Sequence, residues 1–229
     1  MTKHPAKFSP GIMTEIKQVV SSLLEGNPAR RPLVVLDPFA GTGRIHELST
    51  TFFQDVYTWG IEIEREWASM HDMTVTGDSR HRIIPACMKR VDVFVTSPCY
   101  GNRMADHHEA RDSSKRNTYR HTLGRALTPG SAGAMQWGDA YRQLHIDVYK
   151  NMTNVYRRIG MPTWFILNMS DHIRKGKVVN VTAWHIATLE ALGWKRKDWI
   201  RIPTRRQRQG ENGHVRVEYE DVVVFQYDD

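Results

Sequence analysis

Apolar residues arrive in short, β-branched bursts along the first half of the chain, and each burst ends in an acid or a turn former. Pro32-Leu-Val-Val-Leu-Asp37 is the first, and a continuous run of this kind is how a strand buried on both faces of a parallel sheet reads. Val56 to Ile61, closing on Glu62, predicts a second strand, Thr74-Val-Thr-Gly-Asp78 a short third, and Val91 to Thr96 a fourth. Between the first two, Arg44 to Phe53 sets Ile45, Leu48, Phe52 and Phe53 at the spacing of an amphipathic helix. Ala140 to Ile159 repeats that spacing through Tyr141, Leu144, Val148, Met152, Val155 and Tyr156. Thr163 to Asn168 follows as a fifth strand, Val181 to Leu192 as a helix that Gly193 terminates, Trp194 to Ile202 as a sixth strand and Glu218 to Tyr227 as a seventh. Alternating strand and helix signals predict an α/β fold, one sheet with helices on both faces. No internal repeat interrupts the series.

Two segments escape the pattern. Gly101 to Gly138 is polar, follows neither period, and carries six Lys or Arg and three His; connections that long are functional or disordered. Its Arg103, Arg111, Lys115, Arg116 and Arg120, directly after the fourth strand, are candidates to touch phosphates, with Tyr119 and Trp137 as candidate stacking rings. The alternative is a solvated surface insertion. Thr204-Arg-Arg-Gln-Arg-Gln-Gly210 joins the sixth and seventh strands, with Asn212-Gly213 as a turn signal. Arg and Gln are the side chains that bond guanine and adenine edges, so Arg205, Arg206 and Arg208 are candidate readers of sequence, against a plain polar hairpin. His107 and His108 stand beside Asp106 and Glu109, yet adjacent residues do not share a ligand face, and no metal site is expected.

Composition narrows the class. At 229 residues, 40% hydrophobic and 25% charged, the chain fits one globular domain over 1–229, with 101–138 as a basic loop insertion and 204–216 as a basic hairpin. Its two cysteines, Cys87 and Cys99, have no CxxC spacing, which argues against a disulfide framework or structural zinc and for a reducing compartment. No stretch approaches the roughly 18 apolar residues of a membrane span, and Met1-Thr-Lys-His-Pro5 opens no secretory signal, so a soluble cytoplasmic protein without a membrane partner is expected. A net charge of +7 points to polyanions, nucleic acid first among them. A basic enzyme of ordinary substrate is the alternative.

The chemistry gathers at strand ends. In open α/β sheets ligands bind beyond the carboxyl ends of the strands, at a switch point. Asp37-Pro-Phe-Ala-Gly-Thr-Gly43 holds that place on the first strand, and Gly41 and Gly43 offer dihedrals and space that other residues deny a ligand. The turn is not the dinucleotide fingerprint, because His46 stands where the third glycine belongs. Glu62, ending the second strand, suits vicinal ribose hydroxyls, and Asp78, ending the third, suits an exocyclic amine. Each acid alone reads equally as a solvated strand end; together they describe a nucleoside pocket. The fourth strand ends in Thr96-Ser-Pro-Cys-Tyr100. A proline there lacks a backbone donor, so the strand stops and a carbonyl is left to bond something other than the next strand. An isolated Ser-Pro is otherwise an ordinary turn.

Asp37 to Gly43 followed by Thr96 to Tyr100 resembles the first and fourth motifs of S-adenosylmethionine-dependent DNA methyltransferases that modify exocyclic amino groups. His4-Pro-Ala-Lys-Phe-Ser9 is similar to the segment that packs on the cofactor's methionine end in that family, and Asn168 to Arg174 and Glu220 to Phe225 resemble family strands. The order of the motifs is one of the family's permutations. The resemblance implies a Rossmann-like methyltransferase fold, a seven-stranded, mostly parallel sheet whose last strand is antiparallel. It implies S-adenosylmethionine held by Lys7, Phe8, Ser9, Asp37, Phe39, Ala40, Gly41, Thr42, Gly43, Glu62, Ile63 and Asp78, with Glu62 on the ribose and Asp78 on the adenine. Ser97, Pro98 and Tyr100 are then the catalytic set that holds the target base, and double-stranded DNA is the partner. Serine as the leading residue favours cytosine N4 over adenine N6. Cys99 departs from the family, where a second proline is common, and loosens the turn. Methylation of RNA, and a catalytically silent nucleic-acid-binding module of the same fold, are the competing expectations.

Overall fold

The computed structural model describes residues 8–81, 90–101, 118–159, 163–204, 215 and 217–228. It opens on a helix, α1 (Pro10–Gly26). Ser9 caps it by accepting the Ile12 amide at 3.3 Å, and Pro10 takes the first turn, where a missing N–H costs nothing. Ile12, Met13, Ile16, Val20, Leu23 and Leu24 form its buried stripe. At about 1.5–3 kcal/mol for each fully buried side chain, that stripe holds α1 on the sheet.

The strands follow in the expected order. β1 (Leu33–Asp37), β2 (Val56–Glu62), β3 (Thr74–Thr76) and β4 (Val93–Thr96) are parallel. β4 starts two residues later than its apolar run, because the Asp92 carboxylate, not a backbone carbonyl, takes the Val34 amide at 2.8 Å. The stretch expected as one amphipathic helix over 44–53 is instead a 3₁₀ turn, Arg44–His46, and a π-helical turn, Leu48–Phe52. Ser49 and Thr50 donate their hydroxyls back to the His46 carbonyl at 3.2 and 2.9 Å, and the Phe53 amide reaches Leu48 at 2.8 Å, five residues back. Short helices α2 (Arg65–Ala68) and α3 (Tyr119–Leu123) precede the long α4 (Asp139–Ile159). After β5 (Thr163–Met169), a hairpin of β6 (His172–Arg174) and β7 (Lys177–Val179) forms a sheet of its own, ahead of α5 (Val181–Ala191), β8 (Lys195–Pro203) and β9 (Tyr219–Tyr227).

The main sheet has seven strands in the order β3-β2-β1-β4-β5-β9-β8. β9 runs antiparallel to both β5 and β8, so the last strand opposes the rest. α4 and α5 cover one face, burying Leu144, Val148, Met152, Ile186 and Leu189 against Phe94, Phe165 and Phe225. α1 and the turns after β1 cover the other, over Val35, Val93, Val95 and Ile166. The order reverses between β1 and β4, which puts a crevice over the carboxyl ends of those two strands. No described helix is long and apolar enough to cross a membrane.

Candidate active site at the carboxyl edge

The glycine turn closes over the end of β1. Gly41 and Gly43 take φ of 55° and 73°, and a Cβ on Gly43 would sit 2.8 Å from the His46 ring. His46, in the place of a third glycine, is fully buried and bonds Thr58 and Thr74 through its two ring nitrogens at 2.9 and 2.8 Å, so it ties the turn to β2 and β3. Burial and the neighbouring His71 lower its pKa to about 4, so the ring is neutral.

Two buried carboxylates organise the backbone here. Asp37 Oδ1 accepts the Phe39 amide at 2.9 Å and the Thr96 hydroxyl at 2.6 Å, which locks the end of β1 to the end of β4. Glu62 accepts the Gly41 amide through one oxygen at 2.7 Å and the Glu64 amide through the other at 2.8 Å. Each oxygen keeps a lone pair for a further donor. Burial drives both acids up to about 7, against the pull of these hydrogen bonds. Ile63 is half-buried beside Glu62, and Ala40 bonds its amide to the Ile61 carbonyl at 3.0 Å.

Other sequence-selected residues have work of their own. Phe8 lies in the core under α1 and Ser9 is that helix's cap; Lys7 falls outside the described residues. Arg80 grips Asp78 through Nε and Nη2, and these bonds outweigh the effect of burial to hold the Asp78 carboxyl low. Ser79, which the strand pattern does not single out, donates to the Pro38 carbonyl at 2.6 Å and pins the loop after β3 to the glycine turn. Phe39 stacks on His145 of α4 with ring centroids 5.3 Å apart. Thr42 is half-buried.

The Ser-Pro segment sits at the end of β4. Ser97 Oγ lies 3.3 Å from Tyr100 Oη, and that phenol donates to Glu220 Oε2 at 3.4 Å. Because the phenol has one proton and Glu220 receives it, Ser97 donates its own to Tyr100 and keeps its lone pairs as acceptors. No described residue donates to the Pro98 carbonyl. Beneath, Tyr141 of α4 donates to the Cys99 carbonyl at 2.7 Å. His185 of α5 stands 3.0 Å from Tyr141 Oη through Nε2 and 2.7 Å from Tyr149 Oη through Nδ1. Burial and the nearby His145 push His185 well below its ordinary range, so it carries one proton. The order is then fixed: Tyr149 donates to Nδ1, Nε2–H donates to Tyr141, and Tyr141 donates to Cys99. Sequence periodicity marked Tyr141 and Tyr149's helix as core, and gave no sign of this chain. Burial raises the Cys99 thiol to about 11, so it is not a thiolate nucleophile.

The basic loop is only partly described. Arg103, Arg111, Lys115, Arg116, Arg205, Arg206 and Arg208 lie outside the described residues, and Arg120 is exposed on α3. Tyr119, expected as a stacking ring, is instead 3% exposed, its hydroxyl 3.3 Å from Cys99 Sγ. Arg125 is spent on Glu64 at 2.8 Å and on Glu66. Among the described residues no group of three His, Cys, Asp or Glu is placed to hold a metal.

Known structures share this architecture. The putative RNA methyltransferase PH1948 from Pyrococcus horikoshii is similar with a TM-score of 0.54 at 13% identity, over 100% of this chain and 92% of that one. A putative sarcosine dimethylglycine methyltransferase from Galdieria sulphuraria is similar at 0.53 and 11% identity, over 94% and 86%. TrmN from Thermus thermophilus is similar at 0.46 and 16% identity, over 92% of this chain, which spans only 48% of that protein's length. No protein-family model matches the chain, and no curated protein matches it in sequence. Likeness at these identities is likeness of fold, and the fold is the Rossmann-like methyltransferase fold.

Proposed function

We propose that this chain transfers a methyl group from S-adenosylmethionine to an exocyclic amino group in double-stranded DNA, cytosine N4 ahead of adenine N6. The observation that carries the proposal is the Ser97–Tyr100–Glu220 arrangement, in which Ser97 donates to Tyr100 and keeps its own lone pairs as acceptors at the carboxyl edge. The cofactor's place follows from Glu62, a buried carboxylate with a lone pair free on each oxygen, next to a turn without side chains at Gly41 and Gly43. That pair of acceptors fits the two hydroxyl donors of a ribose diol. Bound there, the cofactor supplies an electrophilic methyl on sulfur.

The rest is the protein's. An exocyclic amine is a poor nucleophile because its lone pair is delocalised into the ring. Ser97 Oγ and the Pro98 carbonyl each accept one N–H, which favours a tetrahedral nitrogen whose lone pair is directed away from the base plane. The Asp37–Thr96 bond couples the two halves of the site, since it joins the glycine turn to the residue before Ser97. Positioning of this kind supplies up to ~7–11 kcal/mol where alignment is ideal. Tyr100 offers a ring face to a base removed from its stack, worth about 1–3 kcal/mol.

Incubation of duplex DNA with methyl-labelled S-adenosylmethionine tests the proposal. Wild type should label the DNA and Ser97→Ala should lower the rate by about 100-fold or more, as removal of a preorganised polar group does elsewhere. Labelling that is unaffected by Ser97→Ala, or labelling of RNA alone, would contradict it.

A further inference from the structure

We infer that the β6–β7 hairpin is a phosphate-gripping arm for the DNA strand that carries the target base, an inference that rests on the function proposed above. In the sequence Asn168 to Arg174 resembles a single family strand, where the structure has the end of β5 and then β6 of a hairpin; the hairpin rises from the carboxyl end of β5, the edge where the Ser-Pro segment also lies. It is joined to that segment through Arg174. Arg174 donates to the Trp137 carbonyl at 3.3 Å and to Gln136 Oε1 at 3.0 Å, and the Trp137 amide in turn bonds the carbonyl of Gly101 at 2.8 Å. At its root, Asp171 accepts the Thr182 amide at 2.9 Å and fixes the hairpin to the start of α5.

The tip concentrates positive charge. Arg174, Lys175 and Lys177 fall within four residues, turned by Lys175 and Gly176 at φ of 50° and 72°. All three are exposed. Arg174 spends its donors on neutral oxygens, and no described carboxylate pairs with Lys175 or Lys177. The contrast with the basic edge strand β8 decides between the two surfaces. There Lys195 meets Asp228 at 2.7 Å, Arg196 meets Glu190 at 3.5 Å and Arg201 meets Asp221 at 3.0 Å. Compensated charges of that kind release few counterions, whereas uncompensated lysines on a raised turn beside the base site suit a polyphosphate backbone.

The test compares wild type with Lys175→Asn/Lys177→Thr. Asparagine tolerates the left-handed turn and threonine suits the strand, so charge is removed without strain. Binding of a fluorescent duplex is measured across salt concentrations, with an RNA duplex of the same sequence alongside, and S-adenosylmethionine stabilisation is measured by melting. The variant should bind DNA about tenfold more weakly and lower the slope of log affinity against log salt by about 2, one for each lysine, with the cofactor's effect unchanged. An unchanged affinity and slope would overturn the inference while leaving the proposed function in place, whereas cofactor binding by a wild type that holds no duplex would overturn both the arm and the duplex-DNA substrate. A loss of slope in a protein that shows no cofactor stabilisation would keep the arm and remove the methyltransferase reading. Arm-dependent binding confined to RNA would overturn the choice of DNA.

Discussion

Glu62, proposed to hold the cofactor's ribose, is a buried side chain whose charge state would govern that binding. Burial raises it to about 7, while the Gly41 and Glu64 amides pull it down and the charges of Glu64 and Asp37 push it up. Hydroxyls of a bound ribose would donate to the ionised form, so the acid would sit lower in the complex than in the free protein. The sign follows: affinity for S-adenosylmethionine rises with pH through the free-protein value and levels off above it. Between about pH 6 and 8 the dissociation constant should fall by about tenfold, measured by calorimetry. Glu62→Gln should bind more weakly and without that slope, since an amide NH₂ would face one of the two backbone N–H groups. A pH-independent affinity in wild type would remove Glu62 from the cofactor site. For Asp37 and Glu62 the apolar pattern shows position at a strand end and nothing of their buried state, which arises only when β1, β2 and β4 come together. Asp78 illustrates the opposite limit, an acid at a strand end whose carboxylate is taken by Arg80 two residues away.

At the scale of elements, α4 and α5 act on the Ser-Pro segment from below through Tyr149, His185 and Tyr141. The Cys99 carbonyl is held by a phenol from a long helix in place of a second proline ring. Tyr141→Phe removes the donor to Cys99 and leaves His185 Nε2–H without its acceptor, a loss of about 1–3 kcal/mol. Melting should fall by about 2–4 °C for each kcal/mol in a chain of this size. Methyl transfer should drop further than the affinity for S-adenosylmethionine, because the displaced segment is the one proposed to hold the base and not the cofactor. Equal losses in both would mark the chain as general packing. The strands were legible because each is a compact apolar run. α1 also has its signals in the sequence, Ser9 as cap, Pro10 in the first turn and the apolar stripe Ile12 to Leu24. The 44–53 stretch misled because apolar spacing says nothing of Ser49 and Thr50 competing for the His46 carbonyl. The β6–β7 hairpin was hidden by its polar composition, since Arg174 to Lys177 has neither period and its turn depends on a lysine at positive φ.

For the molecule as a whole, the sheet order, the antiparallel β9 and helices on both faces agree with the α/β reading, and the switch point between β1 and β4 falls where the two motifs meet. The charge of +7 is spread unevenly: described arginines such as Arg80, Arg125 and Arg201 answer carboxylates, and the hairpin tip does not. Composition could announce a basic protein but not which cations remain uncompensated, because pairing is decided by the fold. The account stands on one claim, that acceptors at Ser97 and Pro98 bring an exocyclic nitrogen to attack. The measurement that bears on it most directly is the identity of the methylated nucleoside after wild-type protein, DNA and labelled S-adenosylmethionine are combined and the DNA is digested. The account predicts the label on an exocyclic nitrogen, N4-methylcytosine foremost, and its loss with Ser97→Ala. Label on a ring carbon, or on the protein and not the DNA, would contradict it.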